Sequence, residues 1–117
     1  VTVEDVREIA LALPGMTERV GGQTGEPAWR LASGQIAWVR GPSKVDVRQL
    51  AELGLEWPEC PVLAVRVGSL EEKEALLAAE PDALFSIPHF DGYPGLLVRL
   101  DVVVERALRW WLAARPA

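Results

Sequence analysis

Near the start of the chain, Val3, Val6, Ile9, Ala10 and Leu13 recur at the three-and-four spacing that lines one side of a helix. Thr2 and Asp5 make a capping pair ahead of this stripe, and Pro14 with Gly15 predicts where it stops. The pattern then dissolves. Between residues 15 and 26, Gly15, Gly21, Gly22 and Gly25 stand among polar neighbours, which predicts a mobile loop. Beyond it the period changes to two. Pro27 to Ala32 and Gln35 to Arg40 are rich in β-formers, and Ser33 with Gly34 between them predicts a hairpin turn. Trp29 with Leu31, and Ile36 with Trp38, fall on alternating positions, so each strand is expected to show one apolar face.

A short helix is predicted from Ser43 to Leu53, with Asp46 as a cap and Gly54 just past the end. Pro58 and Pro61 keep the following segment extended or turned. Val62 to Val67 is an apolar, β-branched run broken only by Arg66, the clearest strand in the chain. Ser69 and Glu72 then form a Ser-x-x-Glu box ahead of Leu70, Leu76, Leu77 and Ala78, a helix that Pro81 ends. Leu84 to Ile87 and Gly95 to Leu100 read as two more strands. Asp101 is expected to start the last helix, with Val104, Leu108, Trp111 and Leu112 on one face before Pro116. The order is helix, three strands, helix, two strands, helix, with a small helical insert before the third strand. Hairpin-length connections predict an α+β fold, a mainly antiparallel sheet with packed helices, in one domain over residues 1–117.

Bulk properties narrow the function classes. At 117 residues the chain is long enough for one hydrophobic core, and 50% hydrophobic with 25% charged residues is ordinary globular usage. No apolar run approaches the roughly 18 residues of a membrane span, which predicts a cytoplasmic protein without anchor or signal peptide. Cys60 has no intrachain partner, in keeping with a reducing compartment. The net charge of −5 opposes strong electrostatic binding to nucleic acid. That charge is unevenly placed: Arg30, Arg40, Lys44 and Arg48 face only Asp46 between residues 27 and 50, a balance of +3. The pattern fits a basic face on an acidic body, or simply a solvated surface.

Catalytic and metal-binding signatures are missing from the pattern. One histidine and one cysteine without ligand spacing predict no zinc site, and the carboxylates Glu71, Glu72 and Glu74 read as a solvated helix face. Ser86 or Cys60 with His89 and Asp91 is the available nucleophile set, but no G-x-S-x-G elbow accompanies it. The glycines match no phosphate-binding loop. A non-enzymatic protein without cofactor or metal is expected. The stretch from Ile87 to Gly95 stands out instead: prolines and glycines shape a tight loop around His89, Phe90 and Tyr93, a mix that suits a binding loop or a cover for the sheet edge. Of Trp110 and Trp111, only one can face inward on a regular helix, so the other is expected at a protein interface.

Several segments together resemble one family. Ile9-Ala10-Leu11-Ala12-Leu13-Pro14-Gly15, Pro27-Ala28-Trp29-Arg30, Leu63-Ala64-Val65-Arg66-Val67, Glu72-Lys73-Glu74-Ala75-Leu76-Leu77, Ile87-Pro88-His89-Phe90-Asp91-Gly92-Tyr93-Pro94 and Leu97-Val98-Arg99-Leu100 occur in this order. They resemble the MmcQ/YjbR family of small bacterial proteins nearly end to end. The resemblance implies an α-β(3)-α-β(2)-α domain similar to type III secretion chaperones and to a phage double-wing domain, and it brings a DNA-binding label by fold analogy. It implies no catalytic residues. On this reading the chain is a non-enzymatic binding module, with DNA as partner and Arg30, Arg40, Lys44, Arg48 and Arg66 as contacts. The alternative is a protein-interaction or chaperone-like homodimer that uses a sheet edge or the surface around Trp110 and Trp111. A small-molecule binder or enzyme built on His89 and Tyr93 is the third reading.

Overall fold

The computed structural model describes residues 1–20 and 25–114. Its elements run α1 (Val3–Leu11), β1 (Thr17–Val20), β2 (Pro27–Leu31), β3 (Gly34–Val39), α2 (Lys44–Glu52), β4 (Val62–Arg66), α3 (Leu70–Ala79), β5 (Leu84–Phe85), a 3-10 turn (Pro88–Phe90), β6 (Gly95–Arg99) and α4 (Glu105–Ala113). The strands form one six-stranded sheet in the order β1-β2-β3-β4-β6-β5, with every neighbouring pair antiparallel. This is the α+β class that the pattern predicts. The sheet gains one strand over the expected five, because residues 17–20 of the presumed loop pair with β2. That pairing is long-range and leaves no local period in so short a polar segment; Gly21 and Gly22 of the same presumed loop, and Pro116, lie outside the described residues. Among the described residues no helix is long and apolar enough to cross a membrane.

Local chemistry explains the helix starts. In α1 the Thr2 hydroxyl accepts from the Asp5 amide and the Asp5 carboxylate accepts from the Thr2 amide, the capping box read from the sequence. The same reciprocal pair opens α2, but there Ser43 is the cap and Asp46 is the residue that reaches back to it. Ser69 caps α3, while Glu72 reaches one residue further, to the Gly68 amide. The last helix begins at Glu105 rather than Asp101. Val102, Val103 and Val104 are β-branched and poor helix formers, and Asp101 is drawn to Arg99 in an ion pair at 3.5 Å.

Helices cover both faces of the sheet. On one face Val6 and Ile9 of α1 and Leu108, Trp111 and Leu112 of α4 pack with Trp29, Leu63, Val65, Leu96 and Val98, and α3 adds Leu76 and Leu77 at the margin. On the other, Leu50 of α2 and Ile87 and Phe90 of the 3-10 segment pack with Val62, Ala64 and Leu97. β4 is thus apolar on both sides, which is why it reads as a continuous hydrophobic run. The expected alternation of Ile36 and Trp38 fails at one point. The β2–β3 register shifts between Trp29 and Arg30, so Ile36 and Ala37 both enter the α1/α4 core while Trp38 joins the α2 side.

The added strand is tied to the core by one carboxylate. Glu18 Oε1 accepts from the indole Nε1 of fully buried Trp29 at 2.9 Å and from Arg7 Nε at 2.7 Å, linking β1, β2 and α1. Glu18→Ala leaves the buried indole N–H without a partner and is expected to cost about 2 kcal/mol. Urea melts of the two proteins check this; equal midpoints would show that β1 is held by its backbone pairing alone.

Candidate binding site

The basic residues singled out from the sequence fall into two groups. Strand register puts Arg30 beside Thr17, and Arg19 beside Ala28, so Arg19 and Arg30 share the sheet face that carries Trp38, Ala64 and Arg66. Neither Arg19 nor Arg30 is in an ion pair among the described residues. Arg66 donates from Nη1 to the Ser33 carbonyl at 3.2 Å and from Nη2 to the Ser33 hydroxyl at 2.8 Å, contacts that orient it without neutralising it. Lys44 and Arg48 lie one turn apart on the exposed side of α2.

Arg40 does not belong with these. Its Nη1 donates to Asp46 Oδ2 at 2.7 Å and to the Gly41 carbonyl at 3.1 Å, and its guanidinium lies 5.3 Å from the Phe90 ring centre and 5.8 Å from that of Trp57. The ion pair and the two rings use its charge internally, so Arg40 is withdrawn from the expected phosphate contacts.

The aromatic loop and Arg40 meet instead in a cavity. Trp38, Arg40, His89, Phe90 and Tyr93 line a space of about 320 Å³ on the α2 side of the sheet. Phe90 is buried at its centre, with the Tyr93 ring edge-on at 5.3 Å and Trp38 at 6.4 Å. Tyr93 lies against Gly95, where even a methyl group would overlap its ring. Beneath the loop, the buried ammonium of Lys73 donates to the carbonyls of Phe90 at 2.6 Å and Tyr93 at 2.9 Å. Burial pushes this ammonium below its usual range, and Asp91 offsets part of the shift. In the sequence Lys73 is only a cation in an acidic helix; its structural role depends on a contact 17 residues away.

Behind the cavity lies Asp46, which has no exposed surface. Oδ2 takes the Arg40 bond and the Ser43 amide at 3.0 Å, whereas Oδ1 has no hydrogen-bond partner; the nearest candidate, His89 Nδ1, is 3.9 Å away. Burial raises the Asp46 pKa, but the hydrogen bonds from Arg40 and Ser43 and the Arg40 charge outweigh it and hold the carboxyl below its ordinary value of 3.8.

The nucleophile set read from the sequence is not assembled. Ser86 Oγ has no hydrogen-bond partner among the described residues, and burial pushes the Cys60 thiol up, away from the reactive thiolate. The described residues also contain no group of His, Cys, Asp and Glu placed to hold a metal ion. On the last helix Trp111 is buried and Trp110 is 74% exposed, the division expected for adjacent helical positions.

Fold and site define an antiparallel sheet with helices on both faces, an aromatic cavity on one of them and, on the same face, arginines that form no ion pair among the described residues. The chain belongs to the family of the uncharacterized proteins Rv2570 and MT2646 of Mycobacterium tuberculosis and Mb2600 of Mycobacterium bovis. Each is 38% identical to it over 120 residues, covering 98% of this chain and 89% of the relative. No family model matches the chain, and no solved structure matches it.

The Arg40–Asp46 pair yields a pH-dependent prediction. Because the folded carboxyl titrates below its ordinary value of 3.8, the pair's contribution is complete above that value and is lost as pH falls through the lower, folded one. Asp46→Asn leaves the half-buried Arg40 without its counter-charge and is expected to be about 2 kcal/mol less stable than wild type at neutral pH. That gap should narrow progressively as pH falls below about 4. Urea melts across the acid range check the sign: a gap that stays constant or widens as pH falls contradicts it.

Proposed function

We propose that the chain is a non-enzymatic nucleic-acid-binding module of the MmcQ/YjbR type, and that it holds a single strand of DNA across the exposed part of the sheet. One observation carries the reading. On the α2 side of β1 to β4 the strand positions present Arg19, Arg30 and Arg66 with no carboxylate among them. Glu4, Asp5, Glu8, Glu71, Glu72 and Glu74 belong to α1 and α3, whose apolar residues pack into the other core. These six carboxylates are thus set apart from the three arginines, which favours a local positive surface on an acidic protein even though Asp46 and Glu52 of α2 lie on the arginines' side of the sheet. A sheet face flanked by aromatic rings suits a flexible strand, whose phosphates meet the cations while its bases turn to the rings. The element order supports the family assignment, with β1 and α2 as additions to α-β(3)-α-β(2)-α.

Three sheet arginines release few counterions, so anisotropy of a labelled oligodeoxynucleotide across a salt series is expected to give a slope of roughly −2. Arg30→Glu combined with Arg66→Glu should remove binding while circular dichroism shows the domain still folded, with only a small drop in Tm from the lost Arg66–Ser33 bonds. A salt-independent affinity, or a double variant that binds like wild type, would count against the proposal.

The second reading, a protein-interaction or chaperone-like homodimer, draws on Trp110 and on Val104, which is 64% exposed at the start of the same helix. Trp110→Glu is expected to turn a dimer into a monomer in sedimentation. A wild-type protein that sediments as a monomer at high concentration removes this reading.

A further inference from the structure

We infer that the cavity formed by Trp38, Arg40, His89, Phe90 and Tyr93 is a pocket for one unstacked nucleobase that carries an exocyclic amine, cytosine or adenine. The inference rests on the nucleic-acid reading above and adds a specificity that the arginine surface lacks. Its volume of about 320 Å³ lies at the small end of ligand sites, enough for one planar ring system. Trp38, Phe90 and Tyr93 supply the apolar and aromatic walls on which a base stacks.

The polar end distinguishes between bases. Asp46, fully buried, keeps Oδ1 without a hydrogen-bond partner while Oδ2 is committed to Arg40 and Ser43. Arg40 commits only Nη1, so its other N–H groups remain to donate. Asp46 lies behind the lining, covered by His89; with the imidazole displaced, its Oδ1 beside the guanidinium sets an acceptor next to donors, the complement of an amine adjoining a ring nitrogen in cytosine or adenine. Thymine fits less well: when its one ring N–H donates to Oδ1 and one carbonyl accepts from Arg40, the other carbonyl oxygen is left beside the carboxylate. His89 covers Asp46 loosely: its side chain is 61% exposed, its Nδ1 stops 3.9 Å from Oδ1, and it makes no hydrogen bond among the described residues. A base amine replaces it at Oδ1 once the imidazole swings outward.

The pocket is also continuous with the arginine surface. Arg66 pairs in register with Gly95, against which the Tyr93 ring lies, so a strand passing over Arg30 and Arg66 arrives at the cavity mouth.

Quenching of intrinsic tryptophan emission by free cytidine and thymidine, and anisotropy of labelled oligodeoxycytidine and oligothymidine, test the pocket and the sheet surface separately. Free cytidine and oligodeoxycytidine are expected to bind about tenfold more tightly than their thymine counterparts. Tyr93→Ala should weaken oligodeoxycytidine about tenfold and leave the salt slope unchanged, with Trp38→Leu as a second variant acting in the same direction. Arg30→Glu with Arg66→Glu should abolish oligonucleotide binding while cytidine still binds, which would separate the two surfaces. Equal affinity for the two oligonucleotides, together with neutral Tyr93→Ala and Trp38→Leu variants, overturns the pocket and leaves the sheet surface standing. Cytidine binding with no binding of either oligonucleotide supports the pocket and overturns the strand-binding reading.

Discussion

Asp46 is a charged group with no exposed surface, and the arrangement around the cavity depends on how its charge is met. Taking a carboxylate out of water costs several kcal/mol, so it persists only where partners are fixed in place. Here the partners come from the short connection between β3 and α2: Arg40 just past the strand and the Ser43 amide at the start of the helix. Meeting that charge docks the N-terminus of α2 on the sheet and holds the Arg40 guanidinium near Phe90 and Trp57. The same pair neutralises the cation nearest the cavity, which leaves aromatic surface and hydrogen-bonding groups, rather than net charge, to define what enters.

Lys73 does the complementary work from the other side. In the loop with Pro88, Gly92 and Pro94 the carbonyls of Phe90 and Tyr93 accept from the turn amides of Tyr93 and Gly95 and have a second lone pair to offer. One buried ammonium meets both carbonyls and so fixes the residues whose rings shape the cavity. Two buried charges of opposite sign, one on α2 and one on α3, therefore frame the site from below and behind.

The distribution of charge over the molecule follows from the layering. Each strand alternates its side chains between two faces, so a surface of one sign needs only that Arg19, Arg30 and Arg66 fall on the same parity. The bulge at Ile36 lets Gln35 and Trp38 share the arginine face: without it, with Ala37 in the α1/α4 core and Trp38 on the α2 side, Ile36 would turn to the α2 side and Gln35 into the core. One extra residue thus decides which aromatic borders the arginine surface.

The α+β class, the hairpin around Ser33 and Gly34, the strand at β4, the capping box of Thr2 and Asp5 and the division between Trp110 and Trp111 were legible in the chain, whereas Ser43 rather than Asp46 caps α2 and Glu72 reaches the Gly68 rather than the Ser69 amide. The aromatic loop was legible as a candidate site because its composition departs from what a connector needs. The strand at Thr17–Val20, the bulge at Ile36 and the late start of α4 were not, since pairing partners and crowding valines override the local pattern. Arg40 illustrates the limit most plainly. As a residue type it is a phosphate contact like its neighbours, and only the fold, by setting Asp46 2.7 Å from it in a dry interior, makes it part of a cavity wall instead. Local sequence determines which elements form and which side chains carry charge; tertiary contact decides which of those charges remain free to act, because burial and pairing are properties of neighbours that the chain brings together from a distance.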